Sequence, residues 1–315
     1  MTRRETRFTN LLRSRGIGFI ITAVSAWMTW RCIPSFMPEG LFAVMPELSW
    51  AVNLALLIAV AGAMIAVNRQ FNLLRTVSVF FSAYFMFITA STPVASTFLG
   101  IGPVLALVAM LGMWILFTIY NERRSDRRIF LIFTLLSAGT LADWHFLFFV
   151  PVFVVGLAQM RILRFKKIMA ALIGLVTPPW IAFGLGLMPI PTLPHIFFTP
   201  PTLLLSMPGG WPFLCTVLLT IIIGFLLGLA NLIRIIGFNA QARAYNGFLS
   251  LLGITTGVLA IMNFTDLQVY VPLLNACVAF QVGHFFRATA SRRGYILILG
   301  LLASYTALYI WATAI

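Results

Sequence analysis

Acidic residues are scarce in this chain, with seven Asp and Glu in 315 positions. Charged residues of both signs make up only 9% of it, where soluble domains carry about 25%, so a water-soluble fold is excluded. Cysteine is nearly absent. Cys32, Cys215 and Cys277 are odd in number and far apart, which excludes a disulfide framework and Cys-based metal spacing. The catalytic signatures GxxxxGK[ST], HExxH, GxSxG and GxGxxG are missing, so ATPase, zinc-protease and hydrolase readings lack their minimum parts. No internal repeat is visible, which leaves transporters built from inverted repeats without support.

What the chain does have is apolar surface. The apolar set makes up 61% and the mean hydropathy is +1.01. At about 20 residues per crossing, the length allows roughly ten or eleven membrane helices. The net charge is +14, and every basic residue but Lys166 and Lys167 is an arginine. Basic residues gather in cytoplasmic loops of membrane proteins; that accounts for the charge without a nucleic-acid partner. The opening MTRRETRFTNLLRSRG resembles a signal peptide, but no small-residue cleavage site follows, and the expectation is an uncleaved first helix.

Placing arginines between apolar runs predicts spans at 16–33, 50–67, 76–90, 99–120, 168–188 (broken by Pro178-Pro179), 212–233, 246–262, 267–286 and 294–314. Segment 129–160 is different. It lies between two basic clusters, so it crosses twice or not at all. Asp143-Trp144-His145 splits it into arms of 14 and 15 residues, each reaching about 21–23 Å against a core of roughly 30 Å. The expectation is a hairpin of short helices whose tip is held among neighbouring helices or in a water-filled recess. The whole is an all-α polytopic transmembrane bundle of about eleven helices, forming one integral membrane domain over residues 1–315. It has a basic cytoplasmic tail (1–15), the hairpin (129–160) and an outer stretch (189–211) with six prolines. The N-terminus is expected inside and the C-terminus outside. In this arrangement only Arg31, of the 21 basic residues, lies on the outer side.

An ionisable residue within a membrane segment is costly and points to function. Asp143 beside His145 is therefore the first candidate, suited to relaying a proton, activating a hydroxyl or binding a cation. The plainer reading is a wet tip among headgroups, where Trp144 is an ordinary interfacial residue. Arg31, Glu39 and Glu47 form a second constellation on the outer side, either an acidic or metal-binding loop or an Arg snorkelling to phosphate with two solvated acids. His195 and His284 have no His or acid three or four residues away and read as interfacial or packed. Asn231, Asn246, Asn263, Asn275 and Gln281 either line a polar path or bond between helices. Gly224-x-x-x-Gly228 fits close helix packing. No metal and no cofactor is expected.

The stretches VNRQFNLLRTVSVFFSAYFMF, RRIFLIFTLLSAGTLADWHFLFFVPV, RILRFKKIMAALIGLVTPPW and VYVPLLNACVAFQVGHFFR resemble a domain-of-unknown-function family of multi-pass inner-membrane proteins of Gram-negative gut and environmental bacteria. The likeness runs from about residue 50 to the end. Members are sometimes labelled carotene oxygenases, a label these residues oppose. Those enzymes are β-propellers holding iron with four histidines, whereas this chain has three His and no β pattern. The resemblance implies an inner-membrane envelope protein and supplies no catalytic residues. The hairpin before FLFFVP also resembles multi-pass lipid-linked sugar transferases, whose first outer loop is Asp-rich where this one offers Glu39 and Glu47.

Three functional expectations follow. The leading one is a non-enzymatic membrane component that carries or positions a lipid or lipid-linked envelope substrate. The second is a glycosyltransferase-like enzyme using a polyprenyl-linked donor, with Glu39, Glu47, Asp143 and Arg31 at its outer face. The third is a structural partner of envelope proteins. The enzyme requires Glu39 or Glu47 to approach Asp143 or Arg31. Residues 189–211 are expected at the outer interface, either as a lid over a cavity lined by Asp143 and Arg31 or as a flat connector.

Overall fold

Continuous apolar sequence with few internal breakers leaves the backbone one economical solution in a lipid environment, the α-helix. The computed structural model describes residues 15–35, 45–74, 79–122, 124–186, 201–206, 209–288 and 292–314. Among them it has thirteen α-helices and no strand. They are α1 (Arg15–Arg31), α2 (Pro46–Phe71), α3 (Phe80–Ala90), α4 (Pro93–Ser96), α5 (Ile101–Thr118), α6 (Asp126–Ala142), α7 (Phe149–Gln159), α8 (Phe165–Gly184), α9 (Thr202–Ser206), α10 (Gly210–Ile235), α11 (Ala240–Met262), α12 (Leu267–Ala288) and α13 (Arg292–Ala314). A 3₁₀ turn, Trp144–Phe148, joins α6 to α7. Seven helices, α2, α5, α8, α10, α11, α12 and α13, are long and apolar enough to cross a membrane. By length and composition this is a membrane protein.

The hub is α12. Its apolar window is 94% buried, where that of α13 is 11% buried. Three polar side chains on α12 meet one on another helix: Asn275 Nδ2 donates to Thr89 Oγ1 (3.1 Å), Asn231 Nδ2 to Gln281 Oε1 (2.9 Å), and His284 Nε2 lies 2.6 Å from Asn246 Oδ1. Of the two roles the sequence offers these amides, the interhelical bond is the one observed. Such bonds are worth about 0.6–2 kcal/mol each. At the rim, Tyr309 donates to the Met28 carbonyl (2.9 Å) and Trp50 to Thr29 Oγ1 (3.0 Å), tying α13 and α2 to α1.

Helix α3 ends at Ala90, where the sequence places it, and α8 departs from expectation, each for a local reason. After α3, Ser91 and Thr92 turn their hydroxyls back onto the carbonyls of Ile88 and Thr89 (both 2.7 Å), and Pro93 has no N–H to continue the ladder. The irregular chain beyond is buried, and α2 supplies its partners. Asn53 Nδ2 donates to the Ser96 carbonyl (2.6 Å) and Ser49 Oγ accepts from Leu99 N (3.0 Å). In α8 the expected break at Pro178 and Pro179 does not occur; the helix runs through both. The carbonyls those prolines leave without amide partners are Gly174 and Leu175. Thr134 and Ser137 of α6 donate to them at 3.3 and 2.5 Å.

Helix direction alternates along the chain, and the described Lys and Arg other than Arg31 fall at one end of the bundle. There Asp126 takes Lys167 (2.6 Å) and Lys166 (3.2 Å), fastening the starts of α6 and α8. The Lys167 ammonium, with that of Lys166, holds the Asp126 carboxyl below its ordinary range. Glu122 pairs with Arg128 at 2.6 Å.

Candidate functional site

Asp143 ends α6. Its backbone is extended (φ −158°, ψ 135°), and Oδ1 accepts from the amide of His145 at 2.9 Å, capping the 3₁₀ turn. The same carboxylate oxygen contacts His145 Nδ1. The turn folds tightly back on α6 because Gly139 has no side chain; a Cβ there would run into the Phe146 ring. The imidazole is buried, 3% exposed, stacked on Trp144 (centroids 4.0 Å) and edge-on to Tyr270 (5.3 Å). Its far nitrogen, Nε2, lies 3.4 Å from Asp266 Oδ2, an ion-pair distance longer than a good hydrogen bond. Asp266 stands in the turn joining α11 to α12, where Asn263 donates to Tyr270 Oη (3.3 Å).

The hairpin tip is thus level with the α11–α12 turn, outside the membrane-spanning helices, and its recess is made of protein. Burial acts to lower the pKa of His145, but the bonds to Asp143 and Asp266 outweigh it and raise the group to about 9. At neutral pH it is an imidazolium between two carboxylates. Such a group is already protonated, so it is no general base, and metal ligation needs the neutral ring. No set of three His, Cys, Asp or Glu among the described residues is arranged to hold a metal ion. The arrangement is a latch, with two partly exposed carboxylates (20% and 42%) clamping a buried cation.

The other sequence candidates are not gathered here. Arg31 ends α1 with its guanidinium 5.4 Å from the Trp27 ring. Glu47 is exposed in the first turn of α2, a favourable place for a negative charge at a helix N-terminus. No ion pair or hydrogen bond among the described residues joins Arg31 or Glu47 to Asp143, His145 or Asp266. Glu39 and His195 lie outside the described residues. So does most of the 189–211 stretch, and with it the lid expectation; its described part, α9, packs on the first turn of α10. Sequence reasoning did not join Asp266 to His145, 121 positions away. The available signal was that Asp266 is the only acid after Asp143.

A second feature follows the other part of α12. Helices α10 and α11 lean apart over Leu274, Cys277, Val278 and Gln281, leaving a cleft of about 370 Å³. Gly224 and Gly228 on α10 face Gly253 and Gly257 on α11 across it. Gly224 is needed for contact, since a Cβ would come within 2.6 Å of Val278 Cγ2. Gly257 is not, because a Cβ there would meet Leu274 Cδ1 at an ordinary 3.9 Å. The rim is exposed and apolar: Phe225, Leu229, Ile254 and Val258. No family model, curated protein or solved structure matches this chain.

Proposed function

We propose that this chain is a bacterial inner-membrane protein, N-terminus cytoplasmic and C-terminus periplasmic, that carries or positions a lipid or lipid-linked envelope substrate. The observation that supports this reading is the cleft between α10, α11 and α12. It is apolar, and its exposed rim belongs to helices long and apolar enough to span a membrane, so a hydrocarbon chain is the chemistry that fills it. The latch contributes by fixing the α11–α12 turn, and hence two of the three cleft walls, to the hairpin tip. The enzyme alternative draws no support from the site, since among the described residues no ion pair or hydrogen bond joins Arg31 or Glu47 to Asp143.

The test is photo-cross-linking of the purified full chain with a phospholipid carrying a diazirine on its acyl chain. Cross-links concentrated on α10 and α11 cleft residues, and lost in Gly257→Leu, are expected. Cross-links spread evenly over all exposed helix faces would remove the proposal. Cysteine labelling tests the orientation: a cysteine at Glu47 or Asp266 is expected to label from outside, and one at Ser125 only after permeabilisation.

A further inference from the structure

The cleft has chemically distinct ends. Toward the end of the bundle where Lys and Arg gather, its lining gains Ser250 and Gln281 beside Leu232 and Leu249, with Gln281 Nε2 3.5 Å from Ser250 Oγ. Arg243 is on α11 seven residues before Ser250, two helical turns along the same face. Arg234 is in the last turn of α10, but two residues past the lining residue Leu232 it stands on the other side of that helix. Both are exposed.

Among the described residues neither has an internal counter-ion. From residue 144 to residue 265 the chain contains no acid at all. At this end the described acids are Glu122 and Asp126, and both are already taken, by Arg128 and by the Lys166–Lys167 pair. Arg243 therefore holds positive charge that no described acid compensates, in line with the polar end of an apolar cleft. A guanidinium is the side chain best matched to phosphate oxygens, which it meets through paired N–H donors.

We infer that the cleft seats an anionic phospholipid, its acyl chain between α10 and α11 and its phosphoryl headgroup on Arg243. This rests on the lipid-positioning reading and adds to it the charge and the direction of the ligand. The headgroup lies at the basic end, and the chain tail points toward Ile261. One arginine near a membrane surface favours an anionic lipid by about fivefold.

The experiment uses the full chain in phosphatidylcholine vesicles with two diazirine probes of identical acyl chain, one phosphatidylglycerol and one phosphatidylcholine. The wild type is expected to cross-link the anionic probe at cleft residues about fivefold more efficiently than the zwitterionic one. Arg243→Gln is expected to bring the anionic probe down to the zwitterionic level, with cleft cross-links by the latter unchanged. Arg234→Gln, on the other side of α10, and Arg69→Gln, an exposed arginine at the end of α2, are expected to change neither. If Arg243→Gln keeps the preference, or either control lowers it equally, the anionic seat is overturned and only general surface charge remains. If neither probe prefers the cleft in the wild type, the lipid-positioning reading fails with it. Unchanged thermal unfolding midpoints of the variants establish that they are folded.

Discussion

The two ends of α12 face opposite situations. Near its start, Tyr270 packs against an imidazole clamped by carboxylates from two different turns, and the polar groups there are turned toward one another. Further along, Cys277 and Val278 form the floor of a cleft whose walls stay apart. The first place spends its chemistry on itself, and this is what holds a short hairpin to a turn. The second has an apolar lining with Arg243 in line with its polar end, and on the reading proposed above a lipid meets both. On that reading, a concentration of ionisable groups is a poor guide to where a ligand sits when those groups neutralise one another.

The contrast can be broken most forcefully at the tip. Gly139→Leu drives a side chain into Phe146 and is expected to cost about 3 kcal/mol, seen as a large fall in the unfolding midpoint in detergent. A midpoint near wild type would mean the turn does not pack on α6 as described. Next comes His145→Ala, which leaves Asp143 and Asp266 facing without the cation. About 2 kcal/mol is expected, since Asp266 is partly exposed and solvent screens it; an equal loss in Asp143→Asn would assign the latch to the pair.

The latch also carries a pH signature. The folded pKa of His145, about 9, is raised above its ordinary 6.5. Its stabilisation is therefore fully present below pH 6.5 and lost as pH rises through 9. Unfolding midpoints of the wild type, compared with those of His145→Gln, should converge over that window; parallel curves would refute the charged state. A smaller effect is expected from Ser137→Ala, which bares the Leu175 carbonyl, at about 1 kcal/mol. Smallest is Gly257→Ala, within about 0.5 kcal/mol of wild type. Its methyl meets Leu274 Cδ1 at an ordinary contact distance of 3.9 Å, so a large destabilisation would show that α11 and α12 are closer than described.

Much of the architecture was legible from where arginines interrupt apolar runs, because the cost of burying charge dictates helix ends. The hairpin was legible for the same reason, from the two basic clusters that bracket it. Two things were not. Asp266 gave no sign of pairing with His145, since contacts between turns 121 residues apart leave no local periodicity. The cleft was half visible: Gly224 and Gly228 read as close packing, which holds for Gly224 against Val278. Gly228 and Gly257 instead line the cleft, where a Cβ would meet only Gln281 Cδ at 4.0 Å and Leu274 Cδ1 at 3.9 Å, a distinction that the residue spacing alone does not carry. The proline pair of α8 was legible as an interruption, but the hydroxyls that offset it belong to another helix.

That pair has a consequence for how the chain is assembled. A helix carrying Pro178 and Pro179 alone would enter the bilayer with the Gly174 and Leu175 carbonyls bare, at several kcal/mol apiece in hydrocarbon. Thr134 and Ser137 are the groups that quench them, and they are synthesised about forty residues earlier. Helix α6 must therefore still be at hand when α8 leaves the translocation machinery. The intervening hairpin acts as a tether that keeps the earlier helix waiting for the later one.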